Sequence, residues 1–137
     1  MLMAGLSFLA MYASMYIMVD TFSNAYINLD QLYMVIFMVS LMLLIEVIVM
    51  SSMYAKKVKI TITIISILLL VASFIFVRNQ TAISDQEFLK SMITHHSSAL
   101  LMCKKAPIQD VEIQNLCKTI LSGQQLEIDW MKTKLIQ

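Results

Sequence analysis

Hydrophobic residues fall along this chain in two textures. Through residue 77 they form three nearly unbroken runs, over 1–19, 32–50 and 60–77, and from Ser84 onward they recur every three or four positions among polar residues. Each run is close to the ~20 residues that a helix needs to cross a bilayer, and none contains Lys or Arg. The third, ITITIISILLLVASFIFV, is β-branched enough to suit a buried strand. Its length and its two apolar predecessors predict a membrane helix instead. The first run lacks the basic flank and small-residue cleavage site of a signal peptide.

The polar part reads as two helices. SDQE at 84–87 matches a capping box, with Ser84 accepting from the backbone and Glu87 reaching back. A helix is expected from Asp85 to about Lys105, with Lys104 and Lys105 favourable at the negative end of its dipole and Pro107 preventing continuation. Asp110 is placed to cap a second helix running to about Leu135, in which Gly123 is tolerated at a cost of about 1 kcal/mol. A hairpin of this length is too small to bury a stable core of its own in water. The expected fold class is therefore an all-α membrane protein. Residues 1–83 form a three-helix transmembrane anchor, and residues 84–137 an extracytoplasmic antiparallel hairpin, completed to a four-helix bundle by dimerisation. Packing in a larger membrane complex, or on the bilayer surface, would cover the same apolar faces.

Charge sets the expected orientation. The loop SSMYAKKVK carries Lys56, Lys57 and Lys59, whereas DTFSNAYINLDQ carries Asp20 and Asp30 and no base. The positive-inside rule puts the lysine loop in the cytoplasm. The N-terminus is then cytoplasmic and the hairpin periplasmic, at the inner membrane of a bacterium, with Arg78 the one charge on the wrong side. A chain that is 59% hydrophobic and 14% charged lies outside the range of a soluble domain. A net charge of +1 gives no reason to expect a nucleic-acid partner. Without a nucleophile–base pair, phosphate loop or paired carboxylates, an enzyme is not expected. Glu46, inside the second run, is a functional candidate by default, but it lies about one turn from the lysine end and can reach the interface. Of the 13 methionines, Met11, Met15 and Met18 share one face of the first run, and Met34, Met38 and Met42 one face of the second. Flexible apolar packing is the expected role, and conduction of Cu(I) the alternative.

MITHHSSALLM, residues 92–102, holds both histidines of the chain. At 100° per residue, Met92, His96, Ala99 and Cys103 form one stripe, with His95 and Met102 in a second beside it. The second helix presents Ile113, Cys117, Ile120, Leu121, Gln124, Ile128, Met131 and Leu135, with Glu127 at the edge. Folding about Pro107 sets Met92 opposite Gln124, and His96 opposite Ile120 and Leu121. The two histidines, Met92, Gln124 and Met131 then converge at mid-height. Thioether and imidazole together suit copper, Cu(I) especially, while zinc gains little from Met. A hydrogen-bonded polar seam in an assembly subunit is the competing reading. In this register Cys103 and Cys117 sit about one helical turn apart in height. A disulfide, two inert thiols and two extra ligands all remain open.

FLKSMITHHSSALLMCKKA followed by LCKTILSGQQLEIDWMK resembles a bacterial family long catalogued only as a domain of unknown function. Its first helix follows a MIPHHQGAIDMA-like pattern and its second a QQAEIxxM-like pattern. Some of its members are periplasmic copper-binding proteins with a ferritin-like helical bundle, and the N-terminal runs resemble its membrane-anchored branch. The resemblance implies copper binding at Met92, His95, His96 and Met102 from the first helix, and at Gln124 and Met131 from the second, where Gln125 and Glu127 also match. The implied role is sequestration or delivery of copper. Thr94 stands where the family has proline, Ser97 and Ser98 replace a Gln-Gly pair, and Leu101 replaces an acid. Soluble members often carry two hairpins and this chain one, which again implies dimerisation.

Overall fold

A computed structural model describes residues 2–136. The described residues form five α-helices and one short 3-10 turn, with no strand: α1 Leu2–Ser14, the turn Phe22–Asn24, α2 Leu29–Val49, α3 Lys56–Asn79, α4 Asp85–Lys105 and α5 Val111–Ile136. They divide into two compact units. One joins the chain up to Ser14 with Leu29–Ala82, and the other joins Met15–Asn28 with the chain from Ile83 onward.

In the first unit α2 and α3 are antiparallel. Near the start of α2, the Tyr33 hydroxyl donates to the Thr81 carbonyl at 3.0 Å, and Asp30 accepts from the Gln80 amide at 3.0 Å, so the end of α3 lies beside it. The contact between the two helices is built on small and β-branched side chains, with Val35, Ser40, Val47, Ser66 and Ser73 buried. Small residues let backbones approach closely where no hydrophobic force distinguishes inside from outside. Ser40 and Ser73 return their hydroxyls to the Ile36 and Leu69 carbonyls one turn back, so their polar atoms are satisfied locally. The outward surface is apolar, with Ile48 and Leu68 at 74% and 64% exposure. α3 ends with Gln80 in the left-handed region at φ 49°, where its N–H caps the Phe76 carbonyl.

Both α2 and α3 are long and apolar enough to cross a membrane. The first run gives a shorter apolar helix, and a third span is not shown among the described residues. Apolar character persists to Val19, but the helix stops at Ser14, whose hydroxyl donates to the Ala10 carbonyl. Its 13 residues rise about 20 Å, short of a hydrocarbon core of about 30 Å. At the other end of α2, the Glu46 carboxylate accepts from the Tyr54 hydroxyl. That hydrogen bond holds the Tyr54 phenol above its ordinary range. Glu46 is thus tied to the loop beyond α2.

The second unit is the hairpin of α4 and α5. The limits expected for α4 hold: the Ser84 hydroxyl accepts from the Glu87 N–H, and Lys104 and Lys105 close the last turn. Asp110 caps α5 by accepting from the N–H groups of Glu112 and Ile113 at 2.8 and 3.1 Å. The core is small: Ile93, Leu100, Ile128 and Met131, with Tyr26, Leu89, Met92, Leu121 and Leu135 against it. Tyr26 comes from the Met15–Asn28 segment, which lies along α4 as a strap.

Candidate metal centre

Two cross-helix links fix the register of the hairpin. Cys103 and Cys117 form a disulfide with their Cα atoms 5.3 Å apart, and His96 Nε2 lies 2.7 Å from Glu127 Oε2. This register differs by about one turn from the one that folding about Pro107 implies. The cause is the connection. Ala106 is extended, Pro107 follows, and α5 begins only at Val111, so α5 starts about a turn beyond the end of α4. The two cysteines thereby come level. His96 reaches Glu127 rather than Ile120 and Leu121, and Met92 packs on the core that holds Ile128 and Met131 rather than opposite Gln124. Gln124, one turn before Glu127, arrives near the height of His96.

The six expected site residues separate into two groups. His96 is buried, Met131 is buried in the core, and Met92 packs against that core. Gln124 is half-buried. His95 and Met102 are exposed, Met102 by half. The two imidazoles are neighbours in sequence with ring centroids 6.1 Å apart and planes at 66°. One residue of helix turns them about 100° apart, so they do not serve one inward site. His95 and Met102 lie instead on an open face of the hairpin.

Glu127 is the group that the list of ligands omitted. Its signal was its place in QQLEI, three residues from Gln124 and at the edge of the inward stripe. The carboxylate engages one imidazole nitrogen of His96, while the other, Nδ1, is buried without a hydrogen-bond partner among the described residues, as is Gln124 Oε1. A histidine held at one nitrogen by a carboxylate, with the other nitrogen free, is the arrangement that orients an imidazole toward a metal. Met92 stands one turn before His96 on the same face. Among the described residues no three His, Cys, Asp or Glu side chains gather as a cation site, and both cysteines are consumed by the disulfide. A metal held here would take nitrogen from His96, with sulfur from Met92 and oxygen from Gln124 as the donors on the same inward faces. That donor set fits Cu(I) better than Zn(II), which favours thiolate, imidazole and carboxylate.

The opposite side of α4 is closed by the strap. Ser97 Oγ accepts from the Asp20 N–H at 3.0 Å and from the Asn24 side-chain amide at 3.2 Å. Thr94 Oγ1 accepts from the Tyr26 N–H at 3.4 Å and lies 3.2 Å from the Asn24 carbonyl. Lys104 pairs with Asp20. Thr94 and Ser97 are two of the positions at which the motif departs from the pattern it resembles. Their hydroxyls dock the strap, which neither a proline ring nor a long glutamine side chain could do in the same way.

Residues 77–135 match the family described as Domain of unknown function (DUF305). Over 98% of its length the chain is 34% identical to Uncharacterized protein L153 of Acanthamoeba polyphaga mimivirus, and the match covers 90% of that protein. No solved structure matches the chain. The helical hairpin is thus a DUF305 domain, and the chain as a whole belongs to one family with the viral protein.

Proposed function

We propose that this chain is a membrane-anchored copper-binding protein that sequesters or delivers Cu(I) through the inner face of its C-terminal hairpin. The observation that carries this reading is His96, buried, with Nε2 on Glu127 and Nδ1 without a partner. An orphaned buried nitrogen is costly unless something occupies it, and Met92 supplies the soft donor beside it. The disulfide supports an oxidising compartment for the hairpin. The lysines at the start of α3 support the opposite, cytoplasmic side for the turn between α2 and α3. In a bacterial cell these sides are the periplasm and the cytoplasm of the inner membrane. Copper would be cargo, and no catalytic role is assigned.

The test is Cu(I) affinity of the full-length protein, measured by competition with a chromogenic chelator. Stoichiometric binding lost in His96→Ala, weakened in Glu127→Gln and Met92→Leu, and retained in His95→Ala supports the inner site. Equal binding by wild type and His96→Ala would sink it.

A second reading is a structural subunit that self-associates. It is favoured by the apolar residues on the open side of the hairpin: Phe88, Leu116 and Trp130 are each at least half exposed. A second copy packed there would complete a four-helix bundle and bring His95 and Met102 into the contact. A full-length protein that remains monomeric in detergent at micromolar concentration counts against it.

A further inference from the structure

The turn between α2 and α3 borders a groove of about 500 Å³ that the copper site does not involve. Its lining is divided by chemistry. Ser51, Lys59 and Thr63 supply two hydroxyls and an ammonium, while Ile48, Ile60 and Ile64 supply apolar walls. Lys59 is half-buried and makes no ion pair among the described residues. Lys56 and Lys57 stand beside it in the first turn of α3, which has no acidic residue. Three cations at the positive end of a helix dipole are placed against its field. The chain has no acid between Glu46 and Asp85 to offset them, and Glu46 is engaged by Tyr54.

We propose that this groove binds an anionic phospholipid. Its phosphate is held by Lys59 with the Ser51 hydroxyl, the Thr63 hydroxyl being donated to the Lys59 carbonyl at 2.9 Å, and one acyl chain lies along Ile48, Ile60 and Ile64. The occupant follows from the two-part lining. A free phosphate would leave the apolar walls uncovered, and a hydrocarbon alone would leave the half-buried ammonium without a counter-charge. Basic pockets between membrane helices on the cytoplasmic side take acidic headgroups for the same reason, and Ile48 and Ile64 are exposed by 74% and 53% for a chain to cover. Lys56 and Lys57, outside the lining, add to the general field and make no specific contact.

The proposal rests on the reading of α2 and α3 as membrane helices, and the test separates the two. Full-length protein is reconstituted into nanodiscs of phosphatidylcholine alone or mixed with phosphatidylglycerol. Lipid retained on release is then counted by native mass spectrometry. One phosphatidylglycerol held preferentially, with retention falling several-fold in Lys59→Gln and in Ser51→Ala but not in Lys56→Gln/Lys57→Gln, establishes the groove. Equal losses in the Lys56/Lys57 pair variant reduce the effect to diffuse charge and overturn it. So does retention in Lys59→Gln equal to wild type, or displacement of the lipid by inorganic phosphate alone. A chain that fails to enter nanodiscs at all overturns the membrane reading together with the lipid site.

Discussion

The two units bury serines to opposite ends. In the helix pair of α2 and α3, Ser66 is fully buried and its hydroxyl has no partner among the described residues. It serves by being small. In the hairpin, Ser97 is equally buried but accepts two hydrogen bonds from the strap. The first unit is held by close approach of backbones and turns its apolar side chains outward. The second has a core cluster of four buried apolar side chains and supplements it with a covalent link and a polar seam. The difference teaches that one residue type, at one level of burial, has no fixed energetic meaning until its partners are known.

The comparison breaks hardest at the disulfide. Closing a loop with a sequence separation of 14 residues is worth about 3 kcal/mol in the chain-entropy account. Cys103→Ser/Cys117→Ser is therefore expected to destabilise the hairpin by about that amount and leave the helix pair intact. Trp130, the one tryptophan, lies in α5 and reports the hairpin alone. Its fluorescence transition should shift to lower denaturant while residual helicity by circular dichroism stays. Coincident loss of both signals would mean that the units are not independent.

Next in size is the pair of serines. Ser97→Ala strands the Asp20 N–H and the Asn24 amide, and each buried donor left unpaired costs about 1–3 kcal/mol. Ser66→Ala removes a hydroxyl that has nothing to bond, so its effect is expected within about 0.5 kcal/mol of zero or stabilising. Equal effects of the two substitutions in chemical denaturation would refute the contrast. The smallest expected effect is at Tyr54. Its raised pKa means that the fold favours the neutral phenol. The contribution is present below the ordinary tyrosine value of 10.0 and is lost as pH rises through the elevated one. Ultraviolet titration should show a late phenol that Tyr54→Phe removes.

Much of the hairpin was legible because its signals are local. Ser84 and Asp110 cap within three residues of themselves, and Pro107 stops a helix wherever it falls. The register was not legible. It depends on how far an extended connection climbs between Lys105 and Val111, which no wheel describes, and about a turn of error, together with the reach of two long side chains, puts His96 on Glu127 rather than Ile120. The inward stripe correctly grouped Met92, His96, Gln124 and Met131, since periodicity fixes the face of a helix even when height is wrong. The wheel set His95 in a neighbouring stripe, but the two stripes do not converge on one site, because about 100° of turn leaves His95 on the open face. The strap was invisible for another reason. Asp20 and Asn24 read as an ordinary polar loop, and the hydroxyls they meet lie more than seventy positions away. The apolar run through Val19 hid the end of α1 at Ser14 because hydrophobicity and helicity were taken as one signal.

The strap also sets an order of assembly. α4 and α5 meet across separations such as the 31 residues between His96 and Glu127, while Asp20 and Lys104 are 84 apart. The strap leaves the ribosome well before the surface on which it docks. Distant contacts are slower to close because their loop entropy must be overcome before they return anything. The hairpin therefore forms first and the strap seals it last. Read backward, the strap is also the first piece to lift, and hydrogen exchange at the Asp20 and Tyr26 amides would time that opening.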